Sequence, residues 1–217
     1  IGQRLGELML EAGLPPGVFN VVQAGAHGAA RLCSSEDVNG ILFTGSWAVG
    51  RQLLEANVDS PGRLIALELG GNNPAIVHQD ADLRLAVIEC VRAAFATTGQ
   101  RCTCTRRIIV HEQVADDFFA AFCTAASTLL IGAHDDEEAC FMGPLISESA
   151  RSRILEAQRE LVVRGGRVLL PTVELPREGS FLSAGVVEVD SFDVHHDEEI
   201  FGPVSYTHLR AHETSID

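Results

Sequence analysis

Apolar positions along the chain switch repeatedly between helical spacing and short continuous runs. In 1–13 they recur at helical spacing, and Gly13 with the pair Pro15-Pro16 ends that segment. Short apolar runs typical of buried strands lie at 18–22, 41–44 and 64–69, with helical segments at 28–33 and 51–56 between them. Strands that alternate with helices in this way predict an α/β fold with a parallel sheet and crossover helices.

The second part of the chain repeats the alternation with longer helices. The predicted strands are 74–77, 107–111, 167–170, 181–189 and 200–204, and the predicted helices are 81–98, 114–130 and 147–163. Asp80 is the expected N-cap of the first of these helices, because a carboxylate can accept the free N–H groups there. The acidic run Asp135–Glu138 and the segment 171–180 are expected to be surface loops. We place a domain boundary near Gly70–Asn73, although no flexible linker marks it.

The segment Ser205–Asp217 breaks this pattern. It contains the single Tyr of the chain and two of the eight His, and it has no apolar periodicity. We therefore expect it to be foreign sequence appended to a natural chain, and we leave it out of the fold prediction. We do not interpret its histidines as a metal site.

Composition and charge exclude several classes of function. The 217 residues carry a net charge of −14 and no Lys, which argues against a nucleic-acid surface and rules out a Schiff-base lysine in this chain. No apolar run approaches the roughly 18 residues that span a bilayer, so we expect no membrane segment. The six cysteines show no repeated pair spacing, which favours reduced thiols in a cytoplasmic protein. The chain begins without Met inside a helical pattern, and we expect it to be a piece of a longer protein.

A cysteine between a helix and a strand is the first candidate for chemistry. Gly99 lies shortly before Cys102, Cys104 follows closely, and the strand 107–111 comes next. A thiol at such a turn can face a cleft, and Gly99 allows backbone angles that bulkier residues avoid. The alternative is that both cysteines are small buried apolar residues. A metal site is disfavoured, because no second cysteine pair or histidine set accompanies the C-x-C spacing.

The turn Gly45–Gly50, between the strand 41–44 and the helix 51–56, is a second candidate. Free backbone N–H groups and the positive end of a helix dipole bind anions, and the Ser46 hydroxyl can add a donor to a phosphate. The turn lacks the G-x-G-x-x-G fingerprint, so a nucleotide would bind here in a different way. A plain strand–helix turn is the alternative.

Carboxylates near two turns complete the set of candidates. Glu68 lies in an apolar run before two glycines, where desolvation would raise its pKa toward the range of a general base. The alternative is an edge-strand Glu that reaches water. Glu198 and Glu199 precede a second turn, where a carboxylate can accept ribose hydroxyls, and a solvated acidic loop is the alternative.

Five motifs in order resemble the NAD(P)-dependent aldehyde dehydrogenase superfamily. The resemblance covers residues 1–204, and the motifs lie at separations similar to those of the family: Leu14-Pro-Pro-Gly-Val-Phe-Asn20, Phe43-Thr-Gly-Ser46, Leu67-Glu-Leu-Gly-Gly71, Gly99-Gln-Arg-Cys102 and Glu199-Ile-Phe-Gly-Pro203. The resemblance implies that 1–70 is the C-terminal part of a Rossmann-type NAD-binding domain. It also implies that 71–204 is a truncated α/β catalytic domain that carries the thiol, followed by the foreign tail 205–217.

The resemblance implies roles for individual residues. Cys102 would be the nucleophile that forms a thiohemiacetal and then a thioester, and Glu68 would activate the water that hydrolyses the thioester. The cofactor would be NAD, with NADP as the alternative. The residues that would contact it are Gly45, Ser46, Trp47, Ala48, Val49, Gly50, Leu69, Glu199 and Phe201.

The resemblance also bears on partners and on activity. The partners implied are a small aldehyde and, for a full-length protein, further copies in a homo-oligomer. The family's oxyanion Asn and its first Rossmann strands lie upstream of this sequence. We therefore expect the chain by itself to be inactive.

Within the family, three motifs resemble the group that oxidises N-succinylglutamate 5-semialdehyde in arginine breakdown. They are Gly71-Asn-Asn-Pro74, Gly99-Gln-Arg-Cys-Thr-Cys104 with Arg106-Arg107, and Phe141-Met-Gly-Pro-Leu-Ile-Ser-Glu148. Arg101, beside Cys102, is a candidate for binding a substrate carboxylate, because Arg can bind a carboxylate with two hydrogen bonds. The alternative is that Arg101, Arg106 and Arg107 form only surface ion pairs. An aldehyde of another class, a different acyl-thioester enzyme and a non-catalytic relative whose cysteines only pack remain alternatives for the function.

Overall fold

The computed structural model describes residues 1–190 and 197–210 of the chain. The chain divides into two compact units, Ile1–Leu69 and Gly70–Asp217. Each unit has its own parallel strands and crossover helices, which confirms the predicted α/β class. Within the described ranges, no helix combines the length and the apolar character needed to cross a membrane.

The first unit contains three helices and a pair of parallel strands. Its helices are α1 (Gly2–Glu11), α2 (Ala26–Cys33) and α3 (Trp47–Ala56), and its strands are β1 (Gly40–Thr44) and β2 (Leu64–Glu68). β1 and β2 pair directly, with Gly40 opposite Leu64 and Thr44 opposite Glu68. The chain between them forms α3, which is the crossover that parallel strands require.

The predicted strand at 18–22 is wrong. The segment has no regular structure, and Val18 and Val22 are 65% and 73% exposed. An apolar run becomes a strand only where a neighbouring strand satisfies its backbone groups, and these residues pair with neither β1 nor β2.

The second unit is built on a five-stranded sheet. Its strands are β3 (Asn73–Val77), β4 (Thr105–His111), β5 (Arg167–Leu170), β6 (Gly185–Val189) and β7 (Val204–Arg210). Their order across the sheet is β3-β4-β7-β6-β5. All pairs are parallel except β5 with β6. The strand predicted at 181–189 is shorter in the structure, where it begins at Gly185.

Three helices cover this sheet, each with a side-chain cap. They are α4 (Leu83–Phe95), α5 (Glu112–Ser127) and α6 (Glu148–Val163). The predicted N-cap of α4 is wrong: Asp82, not Asp80, accepts a hydrogen bond from the Leu85 backbone at 3.0 Å. Asp80 instead lies 2.7 Å from His78 Nδ1, and this hydrogen bond lowers the pKa of the Asp80 carboxyl.

Stacked aromatic rings form the centre of the main core. Phe118 and Phe122 on α5 are fully buried, with ring centroids 5.5 Å apart. Phe95 at the end of α4 lies 5.9 Å from Phe122. These rings pack in one cluster with Ile108 and Val110 of β4. The core therefore anchors both segments that flank Cys102, namely the end of α4 and the start of β4.

The predicted strand 200–204 is wrong for 200–203, because the strand in the structure begins only at Val204. The exclusion of residues after 204 from the fold is wrong for 205–210. These residues continue β7, which lies between β4 and β6 and pairs with both. Ser205, Tyr206 and Thr207 are buried. Backbone pairing on two sides can place a segment that shows no apolar periodicity, which explains the error. The foreign origin of the segment stays a prediction from the sequence, and residues 211–217 lie outside the described residues.

Candidate functional site

Cys102 lies in the short connection between α4 and β4. A 3-10 helix, Ala96–Gly99, follows α4, and a bend with Cys102 precedes β4. Cys102 is exposed, whereas Cys104 is 3% exposed and directs its thiol at the Ala96 carbonyl. Of the two cysteines considered from the sequence, Cys104 therefore fits the packing role and Cys102 is open to reagents.

Three consecutive residues before Cys102 have left-handed backbone conformations. The φ angles are 56° for Thr97, 57° for Thr98 and 65° for Gly99. Gly99 tolerates this angle, as expected from the sequence, but each threonine costs about 1–3 kcal/mol. The buried Thr98 hydroxyl offsets part of this cost, because it bonds the backbone N–H and C=O of Gly143, both at 2.9 Å. The loop is thus held in one strained shape.

The backbone of Cys102 itself is held from β3. The Asn73 side chain donates from Nδ2 to the carbonyl of Cys102 at 2.7 Å and to that of Cys104 at 3.3 Å. A Cβ placed on Gly71 would lie 2.9 Å from the Cys102 carbonyl oxygen, so only glycine fits there. Sequence reasoning did not identify Asn73, because its partners lie about 30 positions away and no local pattern signals the contact.

Arg106 is fully buried, which contradicts the surface ion pair considered for it. Its guanidinium donates to the backbone carbonyls of Gly99 and Gly202, the latter at 3.0 Å. Burial lowers the pKa of this guanidinium from its ordinary value, and Cys104 and Glu199 act in the opposite direction. Period-two alternation with the buried Ile108 and Val110 is the sequence signal that points Arg106 inward.

Glu199 lies beside the same loop. A Cβ on Gly70 would overlap the Glu199 carboxylate, just as a Cβ on Gly71 would crowd Cys102. Two consecutive glycines therefore bring the backbone of Cys102 and the carboxylate of Glu199 together. Glu199 Oε1 is buried and has no hydrogen-bond partner among the described residues. Such an oxygen suits the hydroxyl of a bound ligand, and it fits the ribose expected from the sequence.

A cavity of about 200 Å³ adjoins Glu199. The 45% exposed side chain of Phe201 forms part of its wall, and residues of α6 form another part. Gln100, from the connection that carries Cys102, and Arg153, from α6, also face it. Neither was identified from the sequence. The Ser147 cap, whose hydroxyl accepts from the Ala150 backbone at 3.1 Å, sets the start of the helix that presents Arg153.

Arg101 is exposed next to Cys102. Its carbonyl accepts a hydrogen bond from the Cys104 backbone at 3.2 Å, so the backbone around it is ordered by a turn. The guanidinium is available on the same exposed connection as the thiol. Within the part of the chain that the structure describes, no three His, Cys, Asp or Glu side chains are grouped as a metal site would require.

The first unit holds the remaining candidates. α3 begins at Trp47 instead of Arg51, so the predicted turn Gly45–Gly50 is corrected to Gly45-Ser46 followed by the first turn of a helix. Ser46 is its N-cap and accepts from the Val49 backbone at 3.4 Å. Among the candidates in this stretch, the side chains of Trp47 and Val49 are 62% and 41% exposed, and Ala48 is also exposed.

Glu68 ends β2 directly beside this helix start, since its carbonyl accepts from the Gly45 backbone at 3.0 Å. Its side chain is exposed, so the structure supports the edge-strand alternative and not a desolvated carboxylate. Leu69 contacts the buried Gly50, where a Cβ would lie 2.6 Å from the leucine side chain. Glu68, Leu69 and the α3 N-terminus thus cluster at the carboxyl ends of parallel strands, where α/β proteins bind ligands.

The chain is similar to known proteins over nearly its whole length. The model of the aldehyde dehydrogenase family matches residues 1–212. N-succinylglutamate 5-semialdehyde dehydrogenase of Escherichia coli is 42% identical over 204 residues, which are 94% of this chain and 42% of that protein. The chain therefore spans less than half the length of the curated relatives it matches.

Two solved structures show the same fold. PnpE from Pseudomonas sp. WBC-3 is 36% identical with a TM-score of 0.88, over 97% of this chain and 44% of that one. PnpE has also been solved in complex with nicotinamide adenine dinucleotide. Betaine aldehyde dehydrogenase from Staphylococcus aureus, solved with NAD+, is 28% identical with a TM-score of 0.86, over 95% of this chain and 42% of that one. With a family model that matches nearly its whole length, the chain belongs to the aldehyde dehydrogenase family.

Proposed function

We propose that this chain forms the thiol-bearing part of an NAD-dependent dehydrogenase that oxidises an aldehyde to a carboxylate. One observation carries the proposal: an exposed Cys102 on a loop held by hydrogen bonds occurs together with the buried Glu199 oxygen that has no hydrogen-bond partner among the described residues. The two are brought together on Gly70 and Gly71. This arrangement suits a site where a covalent nucleophile and a bound dinucleotide meet.

Cys102 is the proposed nucleophile. Its thiolate attacks the aldehyde carbon, a C–S bond forms, and the carbonyl electron pair moves to the oxygen, which gives a thiohemiacetal on Sγ. The Cys102 backbone N–H is a donor for that oxyanion. After oxidation the same sulfur carries a thioester, and hydrolysis breaks the C–S bond and returns the thiolate.

Each unit, taken by itself, offers residues that suit part of a dinucleotide cofactor. Glu199 offers a free carboxylate oxygen to ribose hydroxyls, and Phe201 offers an exposed ring beside it. Gly45, Ser46 and the first turn of α3, together with Leu69, are the proposed contacts in the first unit. When bound, NAD accepts the hydride that the thiohemiacetal carbon loses. Titration of the protein with NAD and with NADP decides which coenzyme it uses.

Glu68 is the proposed general base for the second half-reaction. It takes a proton from the water that attacks the thioester carbon. Its exposed position at the end of β2 allows it to contact water directly. Replacing Glu68 with Gln is therefore expected to slow thioester hydrolysis more than thioester formation.

For the substrate we propose N-succinylglutamate 5-semialdehyde. The 42% identity to the Escherichia coli dehydrogenase of that name supports it, as does the exposed Arg101 beside the nucleophile. Arg101 is proposed to bind a substrate carboxylate with two hydrogen bonds. An aldehyde of another class is the alternative, since a betaine aldehyde dehydrogenase shares the fold.

The test is NAD reduction by the full-length protein that carries this chain. We expect kcat/KM to be higher for N-succinylglutamate 5-semialdehyde than for betaine aldehyde or propanal, and Cys102→Ala to abolish turnover. Arg101→Ala should raise KM for the succinylated substrate and leave KM for propanal unchanged. Equal kcat/KM for the three aldehydes would disprove the substrate assignment, and full activity of Cys102→Ala would disprove the reaction.

A further inference from the structure

We infer that Arg106 is a positioning residue that ties the thiol loop, residues 97–102, to the cofactor segment, residues 199–203. The inference rests on the proposed function, since the two segments carry the proposed nucleophile and the proposed cofactor contacts. Arg106 lies in β4 and contacts neither the substrate nor the cofactor in this assignment. Its effect on the reaction would be exerted through the backbone of the two segments.

The guanidinium of Arg106 lies between the two segments. Nη2 donates to the carbonyl of Gly99 in the thiol loop, and Nη1 donates to the carbonyl of Gly202 in the cofactor segment at 3.0 Å. A third, longer bond of 3.4 Å reaches the carbonyl of Ala94 at the end of α4. Gly202 is 96 positions away from Arg106 along the chain. The planar guanidinium of one side chain therefore joins two segments that are far apart in the sequence.

The surroundings of Arg106 indicate that its hydrogen bonds set the distance between the thiol loop and the cofactor segment. The side chain is 0% exposed, and its Nε atom has no acceptor among the described residues. Burying a cation costs free energy, and hydrogen bonds to backbone carbonyls offset less of that cost than an ion pair with a carboxylate would. What the planar guanidinium supplies is a fixed distance between two carbonyls, which an apolar side chain does not.

The two segments approach so closely that only glycine fits on one side. A Cβ on Gly99 would overlap the Gly202 carbonyl and would lie 2.9 Å from Arg106 Nη1. Gly99 is three residues from Cys102, and Gly202 is three residues from Glu199, so little chain is available to absorb a shift. A displacement of about 1 Å at a reacting group can cost about 100-fold in rate. Arg106 thus holds the sulfur in place relative to Glu199 and Phe201.

The first test is hydrogen–deuterium exchange on the full-length protein with Arg106→Met. Methionine keeps the length of the stem and removes both donors. We expect amide exchange to become about tenfold faster in both segments, 97–102 and 199–203. Arg151→Met is the matched control: Arg151 is a largely buried arginine that pairs with Glu148 and Glu174 at 3.1 and 2.7 Å, and we expect its loss to leave both segments unchanged.

The second test uses NAD as the probe. In the wild-type protein, NAD should slow exchange in 199–203 directly and in 97–102 through Arg106. In Arg106→Met, we expect NAD to slow exchange in 199–203 only. Turnover per titrated Cys102 should fall about 10- to 100-fold, with KM for the aldehyde changed less than about threefold. A role in stability alone would lower the melting temperature and leave the NAD footprint and turnover per site intact.

Two further variants keep the test decisive if Arg106→Met does not fold. Arg106→Lys retains a cation that reaches one carbonyl and should show intermediate exchange, and Gly99→Ala should separate the segments from the opposite side. Unchanged exchange in the folded variants, or an NAD effect on 97–102 that persists without the guanidinium, overturns the inference. NAD could leave amide exchange in both segments of the wild type unchanged while the variants still show faster exchange in both. In that case the structural link stands and the proposed function fails.

Discussion

The six cysteines of the chain lie in very different surroundings. Cys102 is exposed, Cys90 and Cys104 are buried, and the remaining three are partly buried. Burial raises the pKa of the Cys90 thiol to about 11, and the neighbouring Glu89 adds to the shift. Thiolate availability and access together set cysteine reactivity, so one chain contains both a candidate nucleophile and its internal controls.

We predict that iodoacetamide alkylates Cys102 before the other cysteines of the folded chain. At pH 8, a thiol of pKa about 11 is only about 0.1% thiolate, so Cys90 should react very slowly even when it is transiently reached. Peptide mass spectrometry over a time course measures all six sites at once. Labelling of Cys90 or Cys104 at the rate of Cys102 in the folded protein would contradict the burial described above, and urea-unfolded chain provides the equal-rate control.

We also predict that Cys90 makes stability sensitive to alkaline pH. Its folded pKa is raised to about 11 from an ordinary value of about 9, so its contribution is fully present below about pH 9 and is lost as pH rises through 11. Between these two pH values, the ionisation of Cys90 should lower the free energy of unfolding by at most about 1.4 kcal/mol per pH unit. Urea unfolding of wild type and Cys90→Ala measures the difference, and parallel pH profiles for the two proteins would refute the prediction.

At the scale of elements, the helix starts decide where the site residues point. Asp82 caps α4, the helix that leads into Cys102. Ser147 caps α6, the helix that presents Arg153. Ser46 caps α3 and marks the proposed phosphate position. In each case a small polar side chain just before the helix satisfies a free backbone N–H. The caps therefore link local sequence to the placement of distant site residues.

We expect Asp82→Ala to destabilise the second unit by about 0.5–2 kcal/mol, because the Leu85 N–H loses its acceptor. Asp80→Ala is the matched control on the same connection. Asp80 is fully exposed and pairs only with His78 in the described contacts, so its loss should have a smaller effect. Urea denaturation of the three proteins is the measurement. If Asp80→Ala proved the more damaging of the two, the assignment of the cap to Asp82 would be incorrect.

At the scale of the whole molecule, β7 decides whether the larger sheet is continuous. It pairs in parallel with β4 on one side and with β6 on the other. Without it, β3 and β4 are separated from β5 and β6, and two strand edges lose their backbone partners. The core cluster of Leu182, Val187 and Tyr206 would also open.

We therefore predict that a chain ending at Pro203 loses cooperative unfolding of the second unit. A chain ending at Arg210 keeps β7 and is expected to unfold cooperatively, which makes it the matched control beside the 217-residue chain. Circular dichroism during thermal unfolding compares the three. Identical transitions for the chains ending at 203 and 210 would show that β7 contributes nothing to the sheet.

Much of the fold and of the candidate site could be predicted from local pattern. The periodicity of apolar residues placed nearly every strand and helix, and the ordered motifs around Glu68, Cys102 and Glu199 identified the family. Boundaries and caps were less predictable, as at Trp47 and Asp82, because neighbouring polar residues compete for the same role. The strand at 18–22 and the exclusion of 205–210 failed because strand formation depends on a partner that local sequence does not specify.

What the sequence by itself determined is the alternation of elements, the α/β class, the family and the position of the thiol between a helix and a strand. Only the tertiary structure decided how that thiol is held. Asn73 reaches the carbonyl of Cys102, Arg106 joins Gly99 to Gly202, and Glu199 keeps a buried oxygen without a partner. The physical reason is that these contacts join backbone carbonyls and side chains distant along the chain. Periodicity can indicate that a side chain such as Arg106 points inward, but it does not specify the partner. The contacts form only once the sheet has brought β3, β4 and the loop before β7 together.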